Sequence, residues 1–299
     1  MKMGKVKSLN ICHVNVRSLN AESRLFHLDL LSANNNIDVL CVSESWLNAK
    51  HLSATVGISG FDPPLRCDRS NGRGGGVAIY VRQGLHYSQI CCPFSPDFQC
   101  VVVSITLRRC SSPLTIITSY RPPDSDSAQF VSYMDTVLSQ LSKSASRNIC
   151  LVGDFNAKHS CWLPSQSTDG AGDKLFAFAT SNGLTQVVSD STYTTTSGKD
   201  VLLDLIFANH PQFVQSCLTL APVADYCPTV LCLSTTGLHR ARPKVYHTWD
   251  FQQANLSGLR DACLKQDWSE LYRCVDPSEA VTLWSRLLNT VLHQHIPLK

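Results

Sequence analysis

The chain has 299 residues, of which 43% are hydrophobic and 16% charged, and its net charge is +3. That length buries one large core with room for a small appendage, and the mild charge excludes a chain defined by a polybasic surface. No run approaches the roughly 18 apolar residues of a membrane span, and Met1 to Lys7 is polar with no long apolar stretch behind it.

In chain order, short β-rich runs alternate with helical patterns and turn signals, which predicts a layered α/β fold. Leu9 to Val14 reads as a first strand. Leu25, Leu28 and Leu31 mark a helix over 22–33, and Ile37 to Val42 is a second buried strand ending at Ser43-Glu44. Gly74-Gly75-Gly76 reads as a tight turn that opens the strand Val77 to Val81. It lacks the Lys-Ser/Thr of a phosphate-cradling loop and does not open a helix. Val101 to Leu107 and Leu114 to Ser119 read as paired strands, and Phe130, Met134, Val137 and Leu141 as one helix face. Asn148 to Val152 is a strand, Leu175 to Ala179 part of a helix, and Val201 to Phe207 and Thr229 to Leu233 the last strands. A mixed-sheet sandwich fits this succession better than a doubly wound parallel sheet.

Beyond about Thr236 the character changes. The sequence predicts a first domain over 1–236, then a linker and helical appendage over 237–299. In the appendage Asp276 serves as N-cap, Pro277 and Glu279 stand in the first turn, and Val281, Trp284, Leu288 and Val291 form an apolar face.

Fourteen cysteines are present, but Cys91 and Cys92 are adjacent and no C-x-x-C pair exists. Cys12, Cys41, Cys150 and Cys232 lie in apolar runs, where a free thiol acts as a small hydrophobe. The reading is of an intracellular protein of a reducing compartment. Arg66, Arg69, Arg73 and Arg82 cluster around one acid, Asp68, and by themselves read as a solvated loop.

The chemistry-bearing residues sit at strand ends: Asn15, Glu44, Tyr120, Asp154 with Asn156, Asp204 and Asp225. A carboxylate straight after a buried strand is costly unless it is paired or bound to metal. Carboxylates interleaved with carboxamides suit Mg²⁺, which takes hard oxygen ligands and shares itself with substrate phosphate. Period-2 geometry aims Asp154 and Asn156 to the same side if the strand continues through them.

At this point the sequence resembles the endonuclease/exonuclease/phosphatase superfamily. Asn15 in His-Val-Asn-Val-Arg-Ser-Leu, Glu44 in Ser-Glu-Ser-Trp-Leu, Tyr120 in Tyr-Arg-Pro-Pro and Gly153-Asp-Phe-Asn-Ala carry the likeness, over roughly residues 8–235. Together with Arg73-Gly-Gly-Gly-Val-Ala-Ile-Tyr-Val they resemble most the apurinic-type endonuclease domains of non-LTR retrotransposons, jockey-like ones in particular. His247 to Pro297 is similar to the segment that precedes the reverse transcriptase there.

The resemblance implies a four-layered sandwich of two mixed β-sheets flanked by helices, with the site at one edge. It implies that Glu44, Asn15 and Asp225 hold Mg²⁺ (or Mn²⁺). Asp154 would activate water, Asn156 and Tyr120 would contact the scissile phosphate, and one hydroxyl of Thr192 to Thr196 would add a contact. It further implies DNA as partner, a reverse transcriptase in the same or a related polypeptide, and nuclear access. The family ends in Ser-Asp-His, whereas this chain reads Ala224-Asp225-Tyr226. Histidine exchanges protons near neutrality, with a reference pKa of about 6.5 against about 10 for tyrosine, so Tyr226 is no ready base. His13 is expected to be packed in its strand, and His159 to be a loop residue beside the groove. The sequence therefore leaves three readings: an impaired DNA-nicking endonuclease, a catalytically dead DNA-binding remnant, or a phosphomonoesterase or phospholipid-type hydrolase of the same superfamily.

Overall fold

The computed structural model describes residues 8–70, 74–107, 112–142, 148–222, 225–235 and 253–297. Arg73, Ala224 and the basic stretch Arg240 to Lys244 with His247 lie outside them. The chain divides into two units, Met1–Arg240 and Ala241–Lys299.

In the first unit, one sheet takes the order β13-β14-β1-β2-β4-β3. Its strands are β1 (Ser8–Asn15), β2 (Val39–Ser43), β3 (Leu65–Cys67), β4 (Val77–Val81), β13 (Val214–Thr219) and β14 (Thr229–Ser234). The other takes the order β5-β6-β7-β8-β12-β9. It comprises β5 (His86–Ile90), β6 (Gln99–Thr106), β7 (Leu114–Tyr120), β8 (Asn148–Asp154), β9 (Thr185–Gln186) and β12 (Asp204–Ala208). A short hairpin pairs β10 (Tyr193–Thr194) with β11 (Asp200–Val201). Each large sheet has one parallel pair, β1 with β2 and β7 with β8, and is otherwise antiparallel. This is the mixed sandwich that the alternation of elements predicts.

Period-2 side-chain alternation makes the layers. Leu9, Ile11, Val39, Cys41 and Ile79 join the core shared with the second sheet. Their neighbours Cys12, Val14, Leu40, Val42 and Tyr80 form a separate core with Leu28 and Leu31 of α1 (Glu22–Asn34). On the far side of the second sheet lie α2 (Ser127–Ser142) and α3 (Gly170–Ser181), which add Phe130, Met134, Leu175 and Phe178 to the larger core. The order is helix, sheet, sheet, helices. The buried faces of the two sheets are apolar along most of their length and turn polar at one end of β1, β2, β7, β8 and β12.

Two local expectations need correction. Val201 to Phe207 is not one strand, because β11 belongs to the hairpin and the chain re-enters the sheet only at Asp204. The Thr192 hydroxyl accepts the N–H groups of both Leu203 and Asp204, which fixes that break. Strand β8 also runs on to Asp154, and it ends there because Asn156 adopts a left-handed φ of 46°. The strands β3, β5 and β13, which are not predicted, lack a buried run: β5 reads exposed and half-buried throughout.

The second unit contains α4 (Leu256–Lys265) and α5 (Pro277–His295). Asp276 caps α5 as predicted, accepting from the Ser278 N–H at 2.8 Å, and Asn255 caps α4 through Gly258. Of the expected apolar face only Val291 is buried, while Val281 and Trp284 are exposed.

Gly153 sits where β8 runs parallel to the end of β7, and a Cβ there would overlap the Ser119 carbonyl. Gly153→Ala therefore destabilises the first unit by about 1–3 kcal/mol, measured as a lowered urea midpoint; an unchanged midpoint would mean that the two strands can separate freely.

Candidate active site

Strand register gathers the polar ends. Asp204 pairs directly with Asp154 across β12 and β8, Ser43 pairs with Asn15 across β2 and β1, and Tyr120 ends β7 beside them. Asn15 on one sheet reaches Asp154 on the other, its Nδ2 donating to Asp154 Oδ2 at 2.8 Å in a fully buried contact. The Asn15 Oδ1 accepts the Arg17 N–H, so the amide is oriented at both ends. Asp154 Oδ1 accepts the Asn156 N–H at 3.1 Å.

The turn after β8 is held from behind. Arg121 is buried, and its guanidinium donates to the carbonyls of Phe155 (2.6 Å) and Asn156 (2.5 Å). The Asn156 Nδ2 donates to the Arg121 carbonyl at 2.9 Å, so Asn156 does not follow Asp154 along a continued strand. Its left-handed backbone, tolerated by asparagine better than by most residues, re-aims it.

Glu44 likewise stands just past its strand with a positive φ of 58°. Tyr120 donates its hydroxyl to Glu44 Oε1 and Trp46 its indole N–H to Glu44 Oε2, both at 2.5 Å. Tyr120, expected at the phosphate, thus orients this carboxylate directly. The three glycines 74–76 all have positive φ, and Gly75 and Gly76 offer their carbonyls to the Trp46 and Ser45 N–H groups. A polar cavity of about 630 Å³ opens beside Glu44 and Tyr120 and is also lined by Arg69, Asp97 and Phe98.

Burial sets the charge states. Desolvation raises the Asp154 pKa to about 7, against the hydrogen bonds from Asn15 and Asn156, and Glu44 adds repulsion. Desolvation and then Asp154 push Asp204 well above the ordinary carboxylate range. Neither buried Asp204 oxygen has a well-aligned hydrogen bond, and the nearby Thr192 hydroxyl only partly opposes the shift. The nearest basic neighbour of this carboxyl is His13 Nδ1 at 3.4 Å, and desolvation lowers that imidazole to about 3, so it stays neutral. His13 Nε2 contacts the Ser43 hydroxyl at 2.9 Å. It is packed, as expected. His159 is a loop residue, as expected, and is buried, stacked on Phe176 at 4.2 Å.

The last expected pair sits at the rim. Tyr226 is buried, bridges to Tyr193 and stacks on its ring at 4.9 Å. Desolvation, then Asp154 and Asp204, raise its hydroxyl pKa, so the phenol remains neutral. Asp225 is exposed and accepts from Arg17 Nη1 at 2.5 Å, with the same guanidinium 5.4 Å from the Tyr226 ring centroid. Sequence reading missed Arg17, Trp46 and Arg121; all three stand inside the quoted motifs, but spacing says nothing of their partners. Thr192, in the run expected at the phosphate, holds the backbone of β12 instead. The hydroxyls of Thr192, Thr194 and Thr195 are engaged within the β10–β11 hairpin or its return to β12. Arg66 is taken up by Asp68 and two carbonyls, and Arg82 by Asp38 and the Ile37 carbonyl.

Residues 8–250 match the model of the Endonuclease/Exonuclease/phosphatase family, and the chain belongs to that family. No curated protein matches it. Among solved structures it is similar to the endonuclease domain of TRAS1, a telomere-specific non-LTR retrotransposon (TM-score 0.63, 17% identity, 78% of this chain and 100% of that one). It is also similar to the AP endonuclease LMAP of Leishmania major (0.61, 14%, 78% and 89%). A third likeness is the mannosyl-6-phosphatase of Bacteroides thetaiotaomicron (0.56, 14%, 75% and 98%). At these identities the likeness is one of fold.

Divalent metals are general in the family, and the donor set here can be tested against one. No group of three His, Cys, Asp or Glu able to hold a metal occurs among the described residues. Magnesium needs only one or two carboxylates, with waters and substrate phosphate completing the shell. Glu44, fixed by two donors that leave each oxygen a further lone pair, fits that demand.

The raised carboxyls give a sign for stability. The folded, metal-free protein keeps a proton on Asp154 up to about pH 7, whereas the unfolded chain loses it near 3.8. Stability therefore falls as pH rises through that window, by about 1.4 kcal/mol per unit for one such proton. Urea titrations in chelator between pH 5 and 7 read this slope together with that of Asp204, and Asp154→Asn lessens it by the share of one proton; equal slopes in both proteins would refute the assignment.

Proposed function

We propose that this chain is a metal-dependent phosphodiesterase of the retrotransposon endonuclease type, which nicks DNA at a rate limited by the residue at 226. The observation that carries the reading is the convergence of Asn15, Glu44, Tyr120, Asp154 and Asp204 from two sheets onto one polar edge in a chain of this family. Glu44 would hold a magnesium or manganese ion, with Asn15 at its side and the Tyr120 and Trp46 donors keeping the carboxylate aimed. Such an ion supplies Lewis-acid stabilisation of charge developing on phosphate oxygens.

The chain's own groups account for the rest. Asp154, with a pKa of about 7, takes the proton of the attacking water at neutral pH. Asn15 and the Asn156 N–H hold its oxygens in line. In-line displacement at phosphorus then needs positive charge where the family has its histidine. Arg17 provides it: the guanidinium held by Asp225 over Tyr226 donates to a non-bridging phosphate oxygen. Asp225 thereby acts as the partner of Arg17 in preference to a metal ligand. Tyr226 donates a hydrogen bond and moves no proton.

The second reading, a DNA-binding remnant without turnover, is favoured by one observation: the buried Tyr226 phenol, where the family ends in histidine, is held neutral by desolvation and by Asp154 and Asp204. A phosphomonoesterase keeps weaker support, since the same fold serves a sugar phosphatase.

In nicking assays on supercoiled DNA with Mg²⁺, the protein cuts slowly, Asp154→Asn and Glu44→Gln abolish cutting, and Tyr226→His raises the rate on the order of 10²- to 10⁴-fold. Failure of both the native protein and Tyr226→His to cut above background would leave only the binding reading. In that binding, Arg17→Ala lowers the slope of log affinity against log salt by about 1; an unchanged slope removes Arg17 from the phosphate.

A further inference from the structure

We propose that Cys92 and Cys100 form a redox-active pair that closes as a disulfide across the neck of the β5–β6 hairpin. Strands β5 and β6 pair in antiparallel register as far as Ile90 with Val102. Continued by two positions, that register sets Cys92 opposite Cys100. The side chains meet there, Sγ to Sγ at 3.8 Å. Directly opposed positions on antiparallel strands have Cβ atoms about 4.5–5.5 Å apart, against about 3.5–4.5 Å in a disulfide, so a small approach of the two strands closes the bond.

The two thiols have unequal roles. Cys92 is partly exposed and Cys100 is buried. Their mutual contact lowers the Cys92 thiol, and the same contact with burial pushes Cys100 well above the ordinary range. Cys92 is therefore the attacking thiol and Cys100 the resolving one. With hydrogen peroxide as oxidant, the Cys92 thiolate attacks one peroxide oxygen. The O–O bond breaks, leaving a sulfenic acid and a hydroxide that takes up a proton. The Cys100 sulfur then attacks the Cys92 sulfur, the S–O bond breaks, and the hydroxyl leaves with the Cys100 proton as a second water. Two thiols are oxidised and one peroxide is reduced to two waters.

The pair is placed to affect the site. Between the two cysteines the chain carries Asp97 and Phe98, which line the cavity beside Glu44 and Tyr120. Tyr133 of α2 donates to the Pro93 carbonyl at 3.2 Å, and Gln99 accepts the Gly76 N–H, so the neck is tied both to α2 and to the glycine turn. A covalent bond at the neck fixes that wall of the cavity. In a reducing compartment such a bond is transient, as redox-sensing disulfides are.

The test uses the full chain carrying Cys91→Ser, which removes an exposed neighbouring thiol. The reduced protein is treated with hydrogen peroxide, blocked with N-ethylmaleimide and digested with trypsin. The fragment from Gln83 to Arg108 then contains only Cys92 and Cys100. The expected product is that fragment lighter by two hydrogen atoms and free of maleimide, reverting to a doubly labelled form after dithiothreitol. A doubly labelled fragment at every peroxide concentration overturns the proposal, as does a disulfide from either cysteine to another fragment such as that of Cys67.

Discussion

Asp154 and Asp204 stand directly opposite one another in the β8–β12 register, both withdrawn from water. Like charges in that position repel, and desolvation makes the charged forms costlier still. Much of the surrounding polar structure bears on this conflict. Asn15 crosses from the other sheet to donate to one carboxyl, the Asn156 N–H serves the same group, and Thr192 fixes the backbone on which the second is mounted. The compensation is unequal. Asp154 receives two well-placed donors, whereas on Asp204 the Thr192 hydroxyl only weakly opposes desolvation, so their proton affinities diverge and Asp154 is left near neutrality.

The sandwich makes such a cluster possible because one alternation rule governs both sheets. Inner-facing positions are apolar until the strands end, and there the same phase presents His13, Asn15, Ser43, Tyr120, Asp154 and Asp204. Left-handed residues then do what regular strands cannot. Positive φ at Glu44 and Asn156 turns each out of its strand, and Arg121 holds the second turn by its carbonyls. The aim of the site's side chains is thus set by backbone exceptions supported from behind, in keeping with the need to hold functional groups on rigid elements.

The rim of the edge is organised around Tyr226. Its ring packs on Tyr193 and under the Arg17 guanidinium, which also meets Asp225. The rim thus carries positive charge in Arg17, while the Tyr226 phenol stays neutral. Asp204 meanwhile lies beside a neutral His13 too poorly aligned to bond it.

The order of strands and helices, the mixed character of the sheets and the caps of the last helix were legible in the sequence, since each rests on local periodicity or on one side chain near its own backbone. The motifs at Asn15, Glu44, Tyr120, Asp154 and Asp204 were legible for a similar reason: a polar residue ending an apolar run is visible in one dimension. Edge strands such as β5 were not, because they bury no alternating face. The hydrogen-bond partners were not either. That Asn15 meets Asp154 from 139 residues away, that Tyr120 holds Glu44, that Arg17 clasps Asp225 and that Cys92 faces Cys100 depend on sheet packing, strand register and turn dihedrals. Those are long-range or backbone quantities, and no local pattern encodes them. By itself the sequence determined which groups this protein brings to its edge; the tertiary structure alone decided which of them touch, and burial there decided which keep their protons.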